Sequence, residues 1–119
     1  MPTRPDMEWG VAAEKRALKW LTERGYKPVN VASLNRGWDI ECEDDKFEVK
    51  GRKSPSTAIR LTENEWRAAR KFNRHYTLLI FTASTQAKLR SARPRQFPDP
   101  AGTQEWTKRI RYEYVLDEQ

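Results

Sequence analysis

Apolar and charged residues alternate on both sides of an acidic stretch between Gly37 and Lys50, a pattern that confines this segment to a pair of half-buried strands. Trp38, Ile40 and Cys42 fall on one face of the first strand, with Asp39, Glu41 and Glu43 on the other; in the second, Phe47 and Val49 oppose Glu48 and Lys50. If Asp44-Asp45 form a two-residue turn, antiparallel pairing sets Glu41 across from Glu48 and Asp39 across from Lys50, all on one face. A four-residue loop keeps them together. A three-residue loop shifts the register by one and separates Asp39 from Glu48, so the expectation rests on an even loop.

Carboxylates and an ammonium on one surface suit a defined chemistry. A hard cation such as Mg²⁺ or Mn²⁺ takes oxygen ligands and keeps several waters, so one or two carboxylates suffice to hold it on a phosphate. Asp39 and Glu48 are the candidate ligands. Lys50 lies two residues after Glu48 on the same side, where its charge can stabilise a pentavalent phosphate or help orient and deprotonate an attacking water. A solvated amphipathic ribbon produces the same D…ExK pattern, so the rest of the chain has to bear on the choice.

At 119 residues the chain has the length of one domain. It is 37% hydrophobic and 34% charged, and its five Trp, four Tyr and four Phe supply enough large apolar surface to argue against disorder. The single cysteine, Cys42, excludes an internal disulfide and a cysteine-rich zinc site. No apolar run reaches membrane-spanning length and no signal-peptide pattern opens the chain, so a cytoplasmic protein with no membrane partner is expected.

The net charge of +6 is unevenly spread. Residues 1–49 carry eight basic and ten acidic side chains, whereas residues 50–74 carry eight basic against Glu63 and Glu65 alone. Residues 88–111 add seven basic against Asp99 and Glu105. Acid gathers around the candidate site and base follows it, as a phosphodiester substrate would require. Arg52, Lys53, Arg60, Arg67, Arg70, Arg74, Arg93 and Arg95 are the candidate nucleic-acid contacts.

The elements around the hairpin have their own signals. A helix is expected from Pro5 or Asp6 to Arg24, with Thr3 or Asp6 as cap and Gly25 as stop. Gly10, Glu14, Ala17, Leu18 and Leu21 share a stripe on it, so Glu14 either reaches the hairpin site or lies at the stripe's edge beside a surface base. Tyr26 to Val31, interrupted by Pro28, reads as an edge strand. After a short extended piece at Ala58 to Leu61, Thr62-Glu63-Asn64-Glu65 is a capping box, with Leu61 and Trp66 as a hydrophobic staple, opening a helix to about Arg74. Tyr76 to Thr82 is the most apolar run and reads as a central strand. Residues 84–104, basic and containing Pro94, Pro98 and Pro100, read as a long loop, and residues 110–116 as a final strand, with Trp106 packing in the core.

Asp39, Glu48-Val49-Lys50, the helix carrying Glu14 and the following helix resemble the PD-(D/E)XK restriction-endonuclease-like superfamily. More narrowly, Gly37-Trp38-Asp39-Ile40, Glu48-Val49-Lys50-Gly51-Arg52 and Leu61-Thr62-Glu63-Asn64-Glu65-Trp66 with Ala69 and Tyr76 look like the domain named after the C-terminal part of the plant protein NO VEIN, over roughly residues 10–83. The superfamily's proline before the acid is replaced by Trp38. The resemblance implies an α/β fold: a single restriction-endonuclease-like domain with a mixed central sheet flanked by helices, its core at about residues 6–83. It further implies Asp39 and Glu48 as metal ligands, the Val49 carbonyl completing that shell, Lys50 as catalytic lysine, and Glu14 as the helix acid that holds or orients a second ion. The expected protein is an Mg²⁺- or Mn²⁺-dependent endonuclease acting on DNA rather than RNA, in defence, restriction or repair, as a homodimer or within a larger multidomain assembly. The rivals are a catalytically silent nucleic-acid-binding module of the same fold and a protein-interaction domain that meets an acidic partner.

Overall fold

The computed structural model describes residues 4–109 and 113–118. Helix α1 runs from Arg4 to Glu23. It ends where Gly25 turns left-handed (φ 90°), with Gly25 N–H donating to Thr22 O and Tyr26 N–H to Leu21 O, the paired bonds that close a helix C-terminus. Asp6 lies inside the first turn, and Thr3 lies outside the described residues. The buried stripe of α1 is Trp9, Ala13, Ala17 and Leu21, one residue round from the expected set, which leaves Glu14 half-buried at its edge.

Five strands form the main sheet in the order β1-β2-β3-β5-β6: β1 Val29–Asn30, β2 Ile40–Cys42, β3 Asp45–Arg52, β5 Tyr76–Thr82 and β6 Arg95–Pro98. β3 and β5 are parallel and the other pairs antiparallel, so this is a mixed α/β sheet. Between β3 and β5 the chain makes β4 (Arg60–Thr62) and α2 (Glu63–Phe72). The capping box forms as expected: Thr62 Oγ1 accepts from Glu65 N–H, and Glu65 Oε1 accepts from Thr62 N–H. Leu61 and Trp66 join one apolar cluster, as a staple requires.

Alternation along the strands sorts the core into two faces. Phe47, Val49, Leu79 and Phe81 pack with Ile40 and Cys42 against Trp9, Ala13, Ala17 and Leu21 of α1. Leu78 and Ile80 face the other way, toward Leu61, Phe97 and Leu116, while Tyr76 packs with Ala68 and Ala69 of α2. The wholly buried Leu21, Ile40, Leu78 and Ile80 each contribute about 1.5–3 kcal/mol. Cys42 is the small hydrophobe its strand position implied; burial, with Asp45 and Glu43 nearby, pushes its thiol up to about 11.

Residues 84–104 depart from the expected long loop. They form α3 (Gln86–Leu89), β6 and α4 (Pro100–Thr103). Thr85 caps α3 and Leu89 is fully buried; Phe97 points into the core from β6; Asp99, left-handed at φ 48°, caps α4 ahead of Pro100. The prolines sit where proline is tolerated, at a strand edge and at a helix start. A second sheet, ordered β4-β8-β7, joins β4 to β7 (Trp106–Lys108) and β8 (Glu113–Leu116). The final strand is therefore present but pairs outside the main sheet, and residues 110–112 of the expected segment lie outside the described residues. Trp106 packs edge-on to Trp66 at 5.6 Å and donates Nε1–H to Pro100 O. Among the described residues no helix is long and apolar enough to cross a membrane.

Candidate active site

The hairpin turn falls one residue earlier than expected. Cys42 pairs with Asp45 around Glu43-Asp44, Glu41 with Lys46, and Ile40 with Phe47. The register is two residues from the expected one, so parity, and with it the shared acidic face, is kept. Opposite charges now stand across from each other at Glu41 and Lys46, where the expected register would have opposed two glutamates. Glu43 accommodates the tight turn by adopting φ 57°.

Asp39 is positioned by the loop that precedes β2. Gly37 has φ 105°, and a Cβ there would meet Asn64 O at 2.8 Å and Ala68 Cβ at 2.9 Å, so only glycine lets this loop lie against α2. Tyr76 Oη donates to Gly37 O (2.8 Å), Asn64 Nδ2 to Asn35 O (3.0 Å), and Trp38 Nε1 to Glu41 Oε1 (2.8 Å). The Asp39 N–H bonds Phe47 O, its carbonyl accepts from Val31 N–H, and its Oδ2 accepts from Val49 N–H at 2.9 Å. In an extended strand a residue's N–H and C=O face the same edge, so the Val49 carbonyl is turned toward Asp39 as well.

Glu48 lies beside Asp39, 2% exposed, and Lys50 Nζ is 3.1 Å from Glu48 Oε2. The same ammonium is 2.9 Å from Glu65 Oε1 at the start of α2. Glu48 is within hydrogen-bonding reach of both Asp39 and Glu65. Burial, and then the Glu65 and Asp39 charges, hold the Glu48 carboxyl well above its ordinary range against the pull of Lys50. Asp39 is raised chiefly by burial, although the Val49 N–H and Lys50 oppose this. For Lys50, burial favours the neutral amine, but Glu48 and Glu65 outweigh it and leave the ammonium above its usual value. Glu14 is raised by burial and by Asp39, and is held by Asn30, so it faces the site rather than a surface base.

Glu48 thus binds its proton more tightly folded than unfolded. Its contribution to stability is present at low pH and lost as pH rises from the ordinary carboxylate value of 4.5 through the higher folded one. In chelator, Glu48→Gln should be more stable than wild type near pH 8 by on the order of 1–3 kcal/mol, and should lose that advantage near pH 4. Urea unfolding at both pH values checks this, and a difference that does not vary with pH would contradict it.

The basic residues divide. Arg52 does not face solvent: it is 4% exposed, with its donors on Thr82 Oγ1, Thr57 O and both oxygens of Glu118, so it is removed from the candidate phosphate contacts. Arg95 also bonds Glu118 and lies over Phe97. Arg60 pairs with Glu113 and Arg67 with Glu63, both remaining exposed. Lys53 lies over Trp9, and Arg93 is exposed. Arg70 and Arg74 line a concavity with Lys71, His75 and Asp99 at the end of α2 remote from Glu65.

Residues 8–92 match the family model described as Protein NO VEIN, C-terminal. The chain belongs to that family. No curated protein and no solved structure matches it. The NO VEIN C-terminal match spans Glu14, Asp39, Glu48, Lys50 and Glu65, and stops before β6, β7 and β8. Sequence reasoning placed Glu65 in the capping box and the family-like motif without a role at the site, and passed over Asn30; the first joins Glu48 on the Lys50 ammonium, and the second meets Glu14.

Proposed function

We propose that this domain is a divalent-metal-dependent nuclease of the PD-(D/E)XK restriction-endonuclease-like kind, acting on DNA in a defence, restriction or repair setting. The observation that carries the reading is the convergence of Asp39 and Lys50 on the buried Glu48, with the Val49 peptide alongside and Glu14 electrostatically coupled to Asp39.

The donor set fits Mg²⁺ or Mn²⁺. Asp39, Glu48 and Glu65 crowd around one lysine, leaving an excess of partly desolvated acid that a cation would neutralise. Among the described residues no three acidic, His or Cys side chains form a ready-made metal cage. An ion there would be held by Asp39 and Glu48, with the Val49 carbonyl and water filling the remaining positions, and Glu14 would serve a second ion. Such an ion supplies Lewis-acid polarisation of a phosphate oxygen. Lys50, 23% exposed, brings a positive charge to the same oxygens, while Asp39 and Glu48 stay fixed by the Val49 N–H and by burial. Arg70, Lys71 and Arg74 offer the flanking backbone further positive charge.

The test is cleavage of linear, supercoiled and branched DNA, with RNA in parallel, in Mn²⁺ and in chelator. Cleavage should require the metal and vanish in Asp39→Ala. If wild type cuts nothing and Asp39→Ala binds DNA equally well, the domain is a silent binding module. Failure to bind any nucleic acid at low salt would point instead to an acidic protein partner.

A further inference from the structure

The capping box of α2 does more than close a helix. Glu65 Oε1 accepts the Thr62 N–H at 2.9 Å and, with the same oxygen, the Lys50 ammonium at 2.9 Å. Its own N–H is held by Thr62 Oγ1. The carboxylate itself is tied to the Thr62 peptide, on the first turn of a helix whose Ala68 and Ala69 are buried. Lysine has a long, rotamer-rich stem, and an ammonium with a single carboxylate partner can swing around it. Left with Glu48 alone, Lys50 would rest on the carboxylate proposed to hold the metal. The second acceptor, coming from another element, fixes the ammonium between the two acids.

We propose that Glu65 is a positioning residue for Lys50, setting where its ammonium meets the phosphate and coupling the start of α2 to the site. This rests on Lys50 acting at the phosphodiester. Glu65 touches Lys50, Glu48 and the Thr62 peptide, and acts through Lys50.

Three variants separate positioning from capping. Thr62→Ala removes the hydroxyl that caps Glu65 N–H but leaves the Glu65–Lys50 contact and the backbone N–H that steadies it. Glu65→Ala removes both functions. Glu65→Gln keeps the box, because glutamine serves at this position, and removes the charge. Glu65→Ala should lower kcat by about a hundredfold at unchanged KM, the scale of a misplaced catalytic group. Glu65→Gln should fall between, and Thr62→Ala should lose stability with kcat unchanged.

A second readout needs no substrate: amine labelling of Lys50, followed by peptide mass spectrometry. Lys50 should label several-fold faster in Glu65→Ala than in wild type, and at the wild-type rate in Thr62→Ala. Equal labelling in wild type and Glu65→Ala overturns the assignment, as does a Glu65→Ala enzyme with wild-type kcat. A wild type that cleaves nothing would overturn the nuclease reading, and with it any catalytic role for this contact, whatever the labelling shows.

Discussion

Lys50→Ala is expected to slow phosphodiester cleavage by roughly 10²–10³-fold, the cost of losing one preorganised positive group at a developing charge, while divalent-ion affinity stays within a few-fold of wild type. The split follows from geometry. Asp39 takes its orientation from the Val49 N–H, and Glu48 from its burial on β3, so neither needs the ammonium to be held in place. Glu48→Ala should instead lose both cleavage and metal binding. Single-turnover cleavage and calorimetric titration of Mn²⁺ check the pair. Normal metal affinity in Glu48→Ala, or wild-type cleavage in Lys50→Ala, would remove the assigned roles. There is a linked effect on stability. Lys50 pulls the Glu48 pKa downward, so without it Glu48 holds its proton to still higher pH. The destabilisation of Lys50→Ala in chelator should therefore grow as pH rises. Lys50→Met, which keeps much of the side-chain volume, guards against a loss of activity caused by poor packing.

The parts of this site that were legible in the sequence are those set by local spacing. The period-two alternation puts Asp39, Glu48 and Lys50 on one face for any even-length turn, and the observed and expected registers differ by an even number. The left-handed Gly25 and the Thr62–Glu65 box are local signals too, and both formed. What was not legible came from contacts far apart in the chain. Glu65 satisfies the capping pattern within one turn, so nothing in its neighbours indicates Lys50, 15 residues before it. Arg52 reads as one more cation in a basic loop, since the acid that withdraws it from solvent lies 66 residues away. Residues 84–104 look irregular because their strand and two helices are each four residues long, too short for periodicity to show. The burial of Leu89 and Phe97 orders them.

Arg52 carries the largest expected effect on stability, through its partner. Its side chain is 2% exposed, and its guanidinium meets Glu118 in a two-pronged contact, Nη1 to Oε1 at 2.5 Å and Nη2 to Oε2 at 3.3 Å. Nε is taken by Thr82 Oγ1 and Nη1 also by Thr57 O, so one side chain ties β3 to β5, to the loop before β4 and to the segment after β8. Glu118→Ala leaves that guanidinium buried without its counter-charge. Breaking a buried pair from one side costs roughly 3–5 kcal/mol, and the partial exposure of Glu118 puts the expectation at the lower end. Urea unfolding should show a lower midpoint with an unchanged slope. Replacing both partners, Arg52→Met with Glu118→Leu, should recover much of the loss, because no buried charge is left unpaired and Arg95, which also loses Glu118, is exposed. The pH dependence runs opposite to that of Glu48. The hydrogen bonds from Arg52 hold the Glu118 carboxyl below its ordinary value, so its stabilisation is present above the usual carboxylate range and lost as pH falls through the depressed one. Glu118→Ala should accordingly lie furthest from wild type near neutral pH and approach it in acid. A change below about 0.5 kcal/mol would mean the pair is no more than a surface contact. Loss of DNA affinity in fully folded Arg52→Met with Glu118→Leu would return Arg52 to the phosphate-binding face.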